Sequence, residues 1–186
     1  VESWRKSSSK PILPYEPVGQ LYPLCPLAYE DMPKDTIESV IRRRGSTRQF
    51  AHDAIAFEQL STIIIQATGS VPADSLDGSQ IYDLYFIINS VNGLPSGSYL
   101  FHPDKLAIEL LQEGDFRNAA GHLGLGQKIP ADASVDFFFL TDLEKVFERF
   151  GNRGYRVAQL EAAITAGKVY LAAYALHLGA SGLTFF

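Results

Sequence analysis

Apolar positions recur at helical spacing most densely late in the chain. Between Gly154 and Gly179, Val157, Leu160, Ile164, Leu171, Ala175 and Leu178 draw an apolar stripe. Ala158, Ala162, Ala163, Ala166, Gly167, Ala172 and Ala173 keep much of the remaining surface low. The pattern predicts a single helix over Tyr155–Leu178, roughly 36 Å long at ~1.5 Å rise per residue. Small residues on several of its faces let more than one neighbour approach, which makes it a central helix. Arg156, Glu161 and Lys168 interrupt the apolar run, and a charge at mid-bilayer is costly, so no membrane span is expected.

Shorter patterns fill in the rest. D-T-I-E at Asp35 supplies an Asp-x-x-Glu cap ahead of Ile37, Val40 and Ile41, predicting a short helix that runs into Arg42-Arg43-Arg44 and stops at Gly45. A second helix carries Phe57, Leu60, Ile63, Ile64 and Ala67 on one face, with Gly69 near its end. Residues 70–80 have the composition of a loop. Tyr82–Ile88 and Ser134–Leu140 are near-continuously apolar and predict two buried, central strands. Asn92-Gly93 marks a turn, and Ser98–Phe101 with Leu106–Leu110 form a hairpin through His102-Pro103-Asp104-Lys105. Asp115–Leu123 is expected to be helical, and Asp142 to cap a helix bearing Leu143, Val146 and Phe147. Helices mixed with hairpins, without strict βα alternation, favour the α+β class.

Six of the ten prolines fall before residue 34, so residues 1–33 read as a Pro-rich linker or arm ahead of a domain over 34–186. Leu13, Tyr15, Leu21, Tyr22, Leu24, Leu27 and Tyr29 make that arm too apolar for a free tether. It is expected to lie across a surface of this domain or of a partner. The chain has 186 residues, enough for one domain with a real core, and its net charge of −5 argues against broad nucleic-acid binding. Cys25 is the single cysteine, which excludes an internal disulfide and makes a reducing, cytoplasmic setting the expectation. His52, His102, His122 and His177 are isolated, with no metal-ligand spacing. A start at Val1 without Met, and an end at Phe186 directly after an apolar segment, suggest a piece of a longer chain.

The candidate chemistry lies in Arg42–Phe50. Arg44, Ser46 and Arg48 alternate along an extended segment, which sets their side chains on one side of the backbone. Two guanidiniums flanking a hydroxyl make a phosphate clamp. The same arginines also suit a solvated helix C-terminus, where they favour the macrodipole. The pattern leaves both readings open.

IESVIRRRGSTRQF resembles the opening motif of the FMN-binding nitroreductase superfamily, a short helix followed by Arg-x-Ser-x-Arg and an aromatic. LPSGSYLFHP with LAIELLQEGDF resembles the hairpin of its SagB-type dehydrogenases, which include azoline oxidases. RFGNRGYRVAQLEAAITAGKVYLAAYALHLGASGLTFF resembles their Leu-Glu-Ala helix and terminal segment. The matches run in family order over about residues 34 to 186. The resemblance implies a nitroreductase-like fold, a central and mostly antiparallel sheet flanked by helices, with the long helix in the interface of an intertwined dimer.

It also implies FMN, with Arg44, Ser46 and Arg48 on the phosphate and the backbone of Gly182, Leu183 and Thr184 beside the isoalloxazine. The chain departs from the subgroup at Val71–Ser75, at Ala163-Ile164 and at Arg149-Phe150, where azoline oxidases carry Lys-Tyr. Phe has no phenolic proton and Arg stays protonated, so azoline oxidation by the usual route is not implied. The family's C-terminal extension is expected to lie beyond Phe186. Two functions follow. One is an FMN-dependent oxidoreductase passing hydride to or from a small molecule or peptide. The other is a degenerate, non-catalytic half-domain that pairs, as a homodimer or in tandem, with a catalytic nitroreductase-like domain.

Overall fold

A computed structural model describes residues 16–69 and 80–183. Its centre is a five-stranded sheet in the order β1-β6-β5-β3-β7. These strands are Gln20–Pro23 (β1), Ala107–Glu113 (β6), Gly97–His102 (β5), Asp83–Ile88 (β3) and Val135–Leu140 (β7), and every pairing is antiparallel. A separate parallel pair joins Ile55–Ala56 (β2) to Val91–Asn92 (β4). The expected hairpin is β5–β6, each strand longer than predicted, with a bulge at Ser98/Tyr99. Gly93 takes a left-handed φ of 85° in the expected turn. The predicted loop at 70–80 lies outside the described residues except for Gln80.

One sheet face is dry. Leu84, Phe86, Ile88, Tyr99, Phe101 and Ile108 pack beneath Leu60 and Ile64 of the helix Phe57–Thr68 (α2). The i, i+4 pair on α2 meets alternate positions of neighbouring strands, which is how a helical stripe covers a pleated surface. Phe137 and Phe139 of β7 join this face edge-on, 5.0 Å from Phe86 and 5.1 Å from Tyr82 between ring centroids.

β7 itself is not central, as its apolar run had suggested. It pairs with β3 alone among the described residues and forms one edge of the sheet. Phe137 and Phe139 pack against the core, and all three phenylalanines of its run line a groove. The opposite edge is β1, from the Pro-rich stretch, which pairs with β6. The carboxylate of Glu109, fully buried, accepts the Val18 and Gly19 N–H groups at 2.8 and 2.6 Å and meets His102 Nε2 at 2.7 Å. Leu27 N–H donates to Thr62 Oγ1 of α2 at 2.9 Å, so the same stretch is tied to the helix layer too.

Helix α1 (Ile37–Arg43) starts from Thr36, whose Oγ1 accepts the Ser39 N–H. Asp35, the expected cap, instead holds Arg43 at 2.7 Å. Of its predicted apolar face only Val40 is buried, while Ile37 and Ile41 stay half exposed. Arg117–Leu123 (α3) and Lys128–Asp132 (α4) pack together, and α4 was not foreseen. Pro130 sits in the first turn of α4, where no intrahelical N–H is needed. Asp142 caps Leu143–Phe150 (α5) as expected, accepting from Lys145 N–H.

The long helix α6 spans Gly154–Ala175 and packs on α2, α5 and α1. It ends three residues before the predicted Leu178. His177, not Gly179, takes the left-handed turn at φ 59°, and Leu178 N–H closes on Ala173 O at 2.9 Å. Its buried face also differs from the predicted stripe. Ala158, Glu161, Thr165, Ala173 and Leu176 are buried, whereas Leu160 is 61% exposed. Glu161 accepts Ile81 N–H at 3.0 Å and Thr165 Oγ1 accepts the Tyr82 hydroxyl at 2.8 Å, so polar side chains can occupy the inward face. Among the described residues no helix is long and apolar enough to cross a membrane.

Candidate functional site

Residues 44–50 carry no regular secondary structure and leave α1 in extended conformation, Arg44 having φ −61° and ψ 141°. They run beside the segment that follows α6. Thr47 N–H donates to Ala180 O at 2.9 Å, and Ser46 Oγ lies 3.0 Å from Ser181 Oγ. Two tyrosines one turn apart on α6 hold this pair of segments. The Tyr174 hydroxyl lies 3.1 Å from Thr47 Oγ1. Tyr170 accepts the Gly182 N–H on its hydroxyl, while the Arg44 guanidinium sits over its ring, 5.9 Å from the centroid.

The approach is close enough to require glycine at Gly179 and is tight at Gly182. A Cβ at Gly179 would lie 2.5 Å from Thr47 Oγ1, and one at Gly182 would lie 3.3 Å from the Tyr170 ring. Arg43 has a structural task instead. It donates to Asp35 and to Tyr174 O at 2.7 and 2.8 Å, and its hydrogen bond holds the Asp35 carboxyl below the usual carboxylate range.

A groove of about 1120 Å³ opens between β7, α6 and the tail, with Gly182 and Leu183 on its wall together with Phe50, Phe138 and Tyr170. Asp136 lines it as well, and burial pushes that carboxyl up to about 7. A carboxyl poised near neutrality can serve as hydrogen-bond donor or acceptor. The small residues Ala162, Ala166 and Gly167 of α6 form much of one side, leaving room for an inserted body.

Of the residues expected from the sequence, Arg44 and Gly182 meet on Tyr170, and Ser46 meets the tail at Ser181. Arg48 is exposed farther along the same segment. Arg44 and Ser46 are exposed too, and none of the three lines the groove. Thr184 lies outside the described residues. Arg149 and Phe150 do not line the groove, and Phe150 is buried with Val146 against Ile81 and Val157. Tyr170 and Tyr174 were missed by sequence reasoning. Nothing in the local pattern marks them, since they meet the basic segment more than a hundred positions away.

A model of the nitroreductase family matches residues 41–186. A protein of Methanocaldococcus jannaschii described as a nitroreductase is 25% identical over 157 residues, 80% of this chain and 78% of the relative. Among solved structures, a protein of Anabaena variabilis described as a nitroreductase superposes with a TM-score of 0.81 at 23% identity over 91% of this chain. The chain spans only 37% of that longer protein. A second such protein, from Ralstonia eutropha, gives a TM-score of 0.61 at 22% identity over 90% of this chain and 83% of its own. The Escherichia coli microcin synthetase McbBCD complex, with truncated pro-MccB17 bound, gives 0.62 at 16% identity over 96% of this chain and 69% of the matched one. At these identities the solved structures bear on the fold alone.

Proposed function

We propose, from the premise that this chain belongs to the nitroreductase family, that it binds FMN and works as an oxidoreductase. The observation that carries the reading is the side-by-side course of residues 44–48 and the tail, fastened by the Thr47–Ala180 backbone bond and the Ser46–Ser181 contact. A segment carrying two arginines and a serine is thereby set against a tail whose Gly182 and Leu183 wall a groove large enough for a planar ring system. Arg44, Ser46 and Arg48 would hold the FMN phosphate through charge-assisted bonds, and the backbone of Gly182, Leu183 and Thr184 would lie beside the isoalloxazine. The flavin supplies hydride transfer when bound. The chain's own residues anchor, orient and wall the site, and Asp136 offers an exchangeable proton in the same groove near neutral pH.

Absorbance of the purified protein tests this directly. A bound-flavin band is expected, and Arg48→Ala should weaken FMN retention about 10-fold or more, the scale of one lost charge-assisted bond. Unchanged flavin content in that variant removes Arg48 from the phosphate site.

A second reading is a non-catalytic half that completes its site with another nitroreductase-like unit. The exposure of Arg44, Ser46 and Arg48 outside the groove wall favours it, as does Leu160 standing 61% exposed on α6. A colourless protein that ignores added FMN is the outcome this reading requires.

A further inference from the structure

We propose that Tyr170 is a positioning residue of this site, whose hydroxyl occupies the Gly182 N–H and must give it up to an acceptor atom of the bound ligand. The inference rests on the flavin reading for the ligand's identity, but not for the latch itself. Tyr170 touches both the basic segment and the tail, through the Arg44 guanidinium over its ring and the Gly182 N–H on its hydroxyl. It also stands in the groove wall beside the tail that it holds. Gly182 is pressed against the ring closely enough that any larger residue would have to move it.

A backbone N–H has a single hydrogen to give. While the tyrosine hydroxyl takes it, that donor is closed to a ring lying along the tail. Losing the latch does not free the tail, because the Thr47–Ala180 bond, the Ser46–Ser181 contact and the packing of Gly179 on Thr47 remain. Competition for the amide therefore outweighs pre-ordering of the tail.

Tyr170→Phe isolates the hydroxyl, because phenylalanine keeps the aromatic face beneath Arg44. FMN is titrated by fluorescence into flavin-stripped wild type and variant, and exchange at the Gly182 amide is followed by hydrogen–deuterium exchange without ligand. The expected result is about 2- to 10-fold tighter FMN binding by the variant, the equivalent of one net hydrogen bond, together with faster exchange at Gly182. Equal or weaker FMN binding by the variant overturns the competition, whatever the exchange shows, and unchanged exchange at Gly182 overturns the latch. If neither protein binds FMN, the flavin reading falls. Tyr170→Phe exchange then still decides, since faster exchange at Gly182 upholds a resident acceptor awaiting another ligand and unchanged exchange removes it. Tyr170→Leu, lacking the ring, is expected to bind FMN more weakly than the Phe variant through loss of the Arg44 platform.

Discussion

Asp136 couples the groove to pH. Its carboxyl sits at about 7 in the fold against 3.8 as its ordinary value, the cause being burial, only partly offset by the Arg117 charge. A raised folded value means that the native state holds the proton more tightly. The associated stability is complete below about pH 4 and is lost as pH rises through about 7. Asp136→Asn removes that loss. Its unfolding free energy is expected to equal wild type near pH 4 and to exceed it at pH 8 by on the order of a few kcal/mol, read as a higher Tm at pH 8 only. Equal Tm values at both pH values would mean that Asp136 is solvated as an ordinary carboxylate. None of this was legible in the sequence, because SVDFFFL shows an aspartate in an apolar strand without showing that the strand borders a groove. The basic segment was legible as a run of arginines. Its anchors were not, since Tyr170 and Tyr174 act on residues more than a hundred positions away.

Among the elements, those fixed by local pattern were readable. The stripe of α2, the β5–β6 hairpin and the cap of α5 depend on neighbours within a few residues, and they lie where the pattern put them. β1 depends on Glu109, about ninety positions away, and a four-residue strand ending in Pro23 carries no such message. Burial alone would raise the Glu109 carboxyl, yet hydrogen bonds from Gly19, His102 and Val18 hold it below the usual range. Glu109→Gln is therefore expected to weaken the seat of β1 by roughly 1–3 kcal/mol. Hydrogen exchange would read this as faster exchange at residues 18–23, with the amides of α6 unchanged. A uniform acceleration across the protein would instead make Glu109 a support of the whole fold. The inward face of α6 was misread for a related reason. Periodicity counts apolar residues, while Glu161 and Thr165 are made acceptable inside by Ile81 and Tyr82.

At the scale of the molecule, the part of the α6 stripe around Leu160 is the surface to test. Leu160 stands 61% exposed, with Ile164 and Leu171 half-buried along the same stripe. A lone leucine at the surface is ordinary, but a row on a long helix suits a second like-folded unit. If that unit is another copy, light scattering should give twice the chain mass, and Leu160→Glu should halve it. A wild type already monomeric at tens of micromolar would leave the tandem arrangement as the form of pairing. Class and sheet type were readable at this scale, because strands and helices mix without βα alternation. The edge position of β7 was not, since an apolar run does not say on how many sides it is paired.

The dependence of Glu109 on the backbone at 18–19 has a practical side for anyone trimming this polypeptide. The family match begins at residue 41, but the sheet begins at residue 20. A version cut to the matched region would strip the outer strand from β6 and take both backbone N–H donors from the Glu109 carboxylate. Such a fragment should be poorly soluble or fail to fold, and that failure would reflect where the cut was made and not the soundness of the domain.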